Sequence, residues 1–126
     1  MISSTIAKGV LSGIGVPRYL VIRERADWEK LWAEHTSIFI PPPPLPPVDF
    51  SSDMAVAVYS GEKPTGGFFM EIHEVRRTKI GLVVRYVENG PRPGVIAAFV
   101  LTQPFHIIRL ARAPEPVDFE LISETK

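Results

Sequence analysis

Phe68-Phe69-Met70-Glu71-Ile72-His73-Glu74-Val75, followed after a short break by Lys79-Ile80-Gly81-Leu82-Val83-Val84-Arg85-Tyr86-Val87, is the stretch that decides the fold. Phe68, Met70 and Ile72 occupy alternate positions, as do Ile80, Leu82, Val84 and Tyr86, and charged residues fall between them. Successive side chains of a strand point to opposite faces, so this spacing predicts two strands with one face in a core and one in water. A helix would instead place apolar residues three and four apart.

Similar short apolar bursts, separated by Gly and Pro, continue on both sides. They predict a meander with strands at 54–59, 68–75, 79–87, 95–103, 106–111 and 117–122. Residues 95–101 are apolar on both faces, which predicts a central strand covered on one side by the helix or the proline-rich stretch at 36–47. Upstream, Pro17 precedes Arg18-Tyr19-Leu20-Val21-Ile22-Arg23, whose aromatic and β-branched middle predicts a further strand.

Asp27 is placed to cap a short helix in which Trp28, Leu31, Trp32 and His35 share one face and Glu29, Lys30 and Glu34 the other. So short a helix is marginal alone in water, so the two tryptophans are expected to hold it on the sheet. Residues 36–47 contain Pro41, Pro42, Pro43, Pro44, Pro46 and Pro47, which donate no backbone hydrogen bond. They predict a stiff extended strap rather than a helix or a ladder strand. The tetrapeptide Pro-Val-Asp-Phe occurs at Pro47-Val48-Asp49-Phe50 and again at Pro116-Val117-Asp118-Phe119. It reads as a shared local solution, with Val and Phe inward and Asp outward, and not as a duplicated domain.

The fold class expected from these elements is mainly β: an antiparallel sandwich or curled sheet of six to seven strands with one short helix packed on it. The 126 residues are expected to form a single domain, with 1–15 loosely ordered. A hydrophobic fraction of 45% and a charged fraction of 22% suit a folded chain better than a disordered one. Lys plus Arg number 14 and so do Asp plus Glu, which argues against nucleic acid as a partner and leaves self-association unopposed by net charge. No apolar run is long enough for a membrane span. The absence of cysteine removes disulfides, thiolate metal sites, a thiol nucleophile and thiol-linked lipid. Residues 1–7 carry no positive side chain and Lys8 interrupts the apolar run, so no signal peptide is read and the compartment stays open.

The most unusual local sequence is Gly61-Glu62-Lys63-Pro64-Thr65-Gly66-Gly67, between two predicted strands. It lacks the Gly-Lys-Ser/Thr ending of a phosphate loop and suits a tight or bulged turn. Binding residues also concentrate on loops held by a rigid scaffold. Lys63, Pro64, Thr65, Gly66, Gly67 and Phe68, together with Gln103, Pro104, Phe105 and His106, are therefore expected to form one partner-binding surface at one end of the domain. Asn89-Gly90-Pro91-Arg92-Pro93-Gly94 reads as a second stiff loop with one exposed cation.

Signals for chemistry are sparse. His35, His73 and His106 lie on different elements, and Glu71 with His73 lacks a third ligand at metal-site spacing. No serine occupies a Gly-x-Ser-x-Gly elbow, and the Asp49/Asp118 pair is accounted for by outward strand positions. No catalytic residue, metal or cofactor is expected.

Several of these segments carry a resemblance. Gly13-Ile14 with Pro17, Trp28-x-x-Leu31-Trp32, Pro47-Val48-Asp49-Phe50, Lys63-Pro64-Thr65-Gly66-Gly67-Phe68 with Glu71-Ile72, and Thr102-Gln103-Pro104-Phe105-His106 together resemble the PrcB C-terminal domain family of bacterial protease-complex subunits. The resemblance implies a bacterial, non-catalytic protein-binding domain that assembles or stabilises a protease or other protein complex. The Pro64 to Phe68 hairpin also resembles the Asn-Pro-Thr-Thr-Gly-Tyr loop of chagasin-like protease inhibitors, which gives inhibition as an alternative. A small-ligand-binding domain or an enzyme is a second alternative.

Overall fold

Met54, Val56 and Val58 alternate with Ala55, Ala57 and Tyr59 along β3 (Asp53–Ser60), and all six are buried. The first set packs into one apolar cluster and the second into another, so this strand lies between two cores. Strand β6 (Phe105–Ala111) has the same character: Ile108 and Leu110 join the first cluster, Phe105 and Ile107 the second. Side chains that alternate across a strand, with apolar residues on both faces, demand a layer on each side.

The computed structural model describes residues 1–122. One layer is a four-stranded sheet in the order β1-β6-β3-β2, with β1 at Ser3–Gly9 and β2 at Pro17–Ile22. Its pairings are all antiparallel. A second layer is a three-stranded sheet in the order β4-β5-β7, formed by Phe69–Arg77, Leu82–Asn89 and Val117–Leu121. The β4/β5 pair is antiparallel and the β5/β7 pair parallel. Met70, Ile72, Val75, Leu82, Val84 and Tyr86 face β3 and β6 between the sheets. The described residues adopt the expected mainly β architecture, with seven strands in two sheets and one short helix.

Helix α1 (Arg25–His35) covers the outer face of the four-stranded sheet. Trp28, Leu31, Trp32 and His35 are buried as their spacing requires. Ala55 and Ala57 beneath them are small, which admits the indoles close to the sheet. The strap runs alongside, and its carbonyls accept from the two indoles: Trp28 Nε1 donates to Pro46 O and Trp32 Nε1 to Pro43 O, each at 3.0 Å. A proline run has no N–H to offer but keeps its acceptors, so a strap read by indole donors suits both sequences. At the helix C-terminus Gly13 N donates to His35 O at 2.8 Å. A Cβ on Gly13 would stand 2.3 Å from Glu34 O, so the close approach requires glycine.

Five expectations need correction. Asp27 is not the cap: the helix starts at Arg25 after an extended Glu24, and Asp27 sits in the first turn, where a carboxylate favours the helix dipole. Residues 1–15, expected to be loosely ordered, include β1, which completes the edge of β6 through a register running from Ser3↔Leu110 to Gly9↔Phe105. Ile80, expected in the core, is 81% exposed, because Thr78 and Gly81 close a turn and the strand begins only at Leu82. The first Pro-Val-Asp-Phe copy is no strand: Asp49 Oδ1 accepts from the N–H and hydroxyl of Ser51 and turns the chain. The predicted central strand at 95–103 does not form. β6, its nearest neighbour in sequence, already has both edges taken by β1 and β3.

Candidate functional site

Three segments meet at one end of the sandwich: the turn at 61–68, the loop at 90–104, and residues 10–16 after β1. The first two are joined by a bridge in which Lys63 N donates to Thr102 O at 2.7 Å and Thr102 N returns to Lys63 O at 3.0 Å. Thr102 Oγ1 donates to Thr65 O at 3.0 Å and Gly66 N to Ala98 O at 2.9 Å. Residues 10–16 are tied in through Gln103 N to Val10 O at 2.7 Å and Glu62 N to Gly15 O at 3.0 Å. Gln103 Nε2 adds a bond to Glu62 Oε1.

Glycine chemistry fixes the turn. Gly67 has φ +88°, and a Cβ there would stand 2.9 Å from Pro91 Cγ, so this residue both reverses the chain and lets the second loop close over it. Beside it a small pocket of about 70 Å³ is lined by Ser60, Lys63, Phe68, Glu88, Asn89 and Pro104. The Lys63 ammonium lies 5.6 Å from the Phe68 ring centroid, within cation–π range.

The structure thus places Lys63, Pro64, Thr65, Gly66, Gly67 and Phe68 next to Gln103, side by side at one end as expected. It does not place the rest of the second segment on the surface. Pro104 is buried and its carbonyl accepts from Ser60 N at 3.1 Å. Phe105, 5% exposed, stacks on Tyr59 with centroids 5.9 Å apart and meets His35 edge-on at 4.4 Å. His106, 4% exposed, lies between the sheets. The partner-binding assignment of Pro104, Phe105 and His106 is corrected accordingly: β6 begins at Phe105, and these residues enter the core with it.

What sequence reasoning missed is the loop itself. Ile96 and Phe99 are each 96% exposed, and Val95, Val100, Leu101, Val10 and Leu11 are also exposed. From Gly90 to Pro114 the chain has no acidic residue, and the loop's one charge, Arg92, is exposed as expected. A readable signal was present in the breakers around the apolar run, Pro91, Pro93 and Gly94 before it and Pro104 after it.

The buried imidazoles have structural surroundings. Ser12 Oγ and His35 Nδ1 are 2.8 Å apart, with Tyr59 Oη 3.3 Å from the same nitrogen. Ser12 Oγ also accepts from Ile14 N at 3.0 Å, and both Ser12 and His35 are buried, so this serine and histidine join the helix end to the sheet. Burial pushes His35 down from 6.5 to about 4. His73 and Glu71 approach to 3.6 Å, but Glu71 is held by Lys8 at 2.7 Å, which keeps its carboxyl below the usual range. Among the described residues no group of three or more His, Cys, Asp or Glu is placed to hold a metal ion. Nor is any helix among them long and apolar enough to cross a membrane.

Comparison with protein families gives a match to part of the chain. Residues 54–111 match the family described as PrcB C-terminal, which bears out the resemblance read from the motifs. The matched segment spans β3 to β6 and so includes both the turn at 61–68 and the exposed loop. No curated protein and no solved structure matches the chain.

Proposed function

We propose, from the PrcB C-terminal similarity of residues 54–111, that this chain is a non-catalytic protein-binding domain whose contact surface is the end built from the 61–68 turn and the 91–101 loop. The observation that carries the reading is the exposure of Ile96 and Phe99 beside Val95, Val100 and Leu101 on a loop cross-bonded to Lys63, Thr65 and Gly66. Clustered apolar side chains of this kind mark interaction sites on folded domains, and a pre-tied loop loses little entropy when a partner docks. A role in assembling or stabilising a protease complex is the version of this reading that the family name favours.

The test is capture of proteins from the source organism by the wild-type chain and by Phe99→Asp. A carboxylate at a desolvated contact disfavours docking, while a side chain this exposed contributes little to the fold. Loss of the captured partner by a variant with an unchanged melting temperature supports the reading. Equal capture by both proteins rejects it.

A further inference from the structure

The proline strap at 36–47 lies outside the contact surface proposed above and outside the residues matched to the family. Proline fixes its own φ, and a residue that precedes proline is driven to an extended ψ. Every residue from Ile40 to Pro46 except Pro44 precedes a proline. Such a run favours a polyproline II helix, with three residues to the turn.

The contacts of the strap repeat with that period. Pro43 O and Pro46 O, three residues apart, accept from the indoles of Trp32 and Trp28. Leu45 and Val48, also three apart, pack into the apolar cluster beneath α1. The third edge is Pro41, Pro44 and Pro47, and it is exposed at all three positions. With a rise of about 3.1 Å per residue, these rings form a ridge roughly 19 Å long. Ile40, 98% exposed, stands at its start.

The ridge is apolar and offers acceptors without donors. Among the described residues, the carbonyls of Pro41, Pro42, Pro44 and Leu45 receive no hydrogen bond from the chain, whereas those of Pro43 and Pro46 do. The inner side already shows how such a segment is read: an aromatic ring lies against it and its N–H donates to a proline carbonyl. A reader of the outer side needs the same chemistry, which is that of the aromatic grooves that bind polyproline segments. Because α1 holds the strap in place, little entropy is lost when a groove closes on it.

We propose that Pro41, Pro44 and Pro47 form a second docking ridge, read by a partner domain whose groove is lined with aromatic side chains bearing indole or phenol donors. This ridge is independent of the 91–101 loop, so one partner at each surface is compatible with the other.

Titration of the full chain, labelled with nitrogen-15, with purified unlabelled SH3 and WW domains tests the proposal. The indole N–H signals of Trp28 and Trp32 are the reporters, since both bond to the strap. At least one of the two domains should shift these signals saturably. The variant Pro41→Ala/Pro44→Ala, changed only at exposed positions, should weaken that binding by about tenfold or more. Phe99→Asp should bind as the wild type does, which separates this ridge from the loop surface. Competition by a synthetic peptide of residues 38–49 gives a reading that does not depend on the folding of any variant, and excess peptide should displace the domain from the wild-type chain. Failure of both domains to bind the folded wild type overturns the proposal, as does equal binding by the double variant or failure of the peptide to compete. Binding to the free peptide but not to the folded chain also overturns it, because α1 would then already occupy the face that a partner reads.

Discussion

The backbone N–H of Ile72 on β4 donates to Nδ1 of His106 on β6 across a distance of 2.9 Å, joining the two sheets through one imidazole. Nδ1 accepts, so the ring's proton is on Nε2, which lies 2.9 Å from Thr5 Oγ1 on β1 and donates to it. Three strands from both sheets therefore depend on a neutral ring. Desolvation and then the nearby Lys8 push His106 down from 6.5 to about 4, against the opposing pull of Glu71.

His35 is lowered to about 4 as well, by burial. Both groups bind protons more readily unfolded than folded, so their stabilisation is complete above about pH 6.5 and declines as pH falls toward 4. The full loss is roughly 3 kcal/mol for each ring. Glu34 and Glu71 are held below 4.5 by Arg18 and Lys8, so their contribution fades only at lower pH. Urea midpoints at pH 7 and pH 5 should therefore differ clearly in the wild type and less in His106→Gln. Equal midpoints at the two pH values would show that the imidazoles are not held neutral.

Trp32 fills the space between α1 and the four-stranded sheet, and its indole N–H holds Pro43 O. Trp32→Ala should cost about 3 to 5 kcal/mol in urea unfolding, because it leaves a large cavity and frees the strap. Trp32→Phe keeps much of the volume and loses the strap bond, so about 1 kcal/mol beyond the packing change is expected. A near-wild-type midpoint for the alanine variant would contradict the placement of the helix.

The Trp28, Leu31, Trp32 and His35 stripe was legible because helical spacing and burial coincide there. The paired strands β4 and β5 were legible from their alternation. The assignment of the sheet centre was not. Apolar character at successive positions identifies a segment that can be covered on both faces, and both 54–59 and 95–101 have it. Which one takes the centre depends on ladder partners distant in sequence, and β1, within the stretch expected to be loosely ordered, supplies one of them. The site was half legible for the same reason: Gln103 reaches the surface, while Phe105 one turn of the pattern later belongs to a strand whose register is set by β3.

Gly67 joins the turn to the second loop, and Gly67→Ala should destabilise the domain by about 1 to 2 kcal/mol through its positive φ and the clash with Pro91. Its effect should be local. Amide exchange should quicken at Gly66 and Thr102 in this variant, with the β3 and β6 amides little changed. Uniformly quickened exchange would indicate that the junction supports the whole fold.

The most direct test of the contact surface is an amide-exchange comparison between the free chain and its complex with the captured partner. Protection gained at 91–101 and 63–68, with α1 and the strap unchanged, is the result expected. Protection confined to other parts of the chain, with the Ile96 and Phe99 amides exchanging as in the free protein, would contradict the assignment.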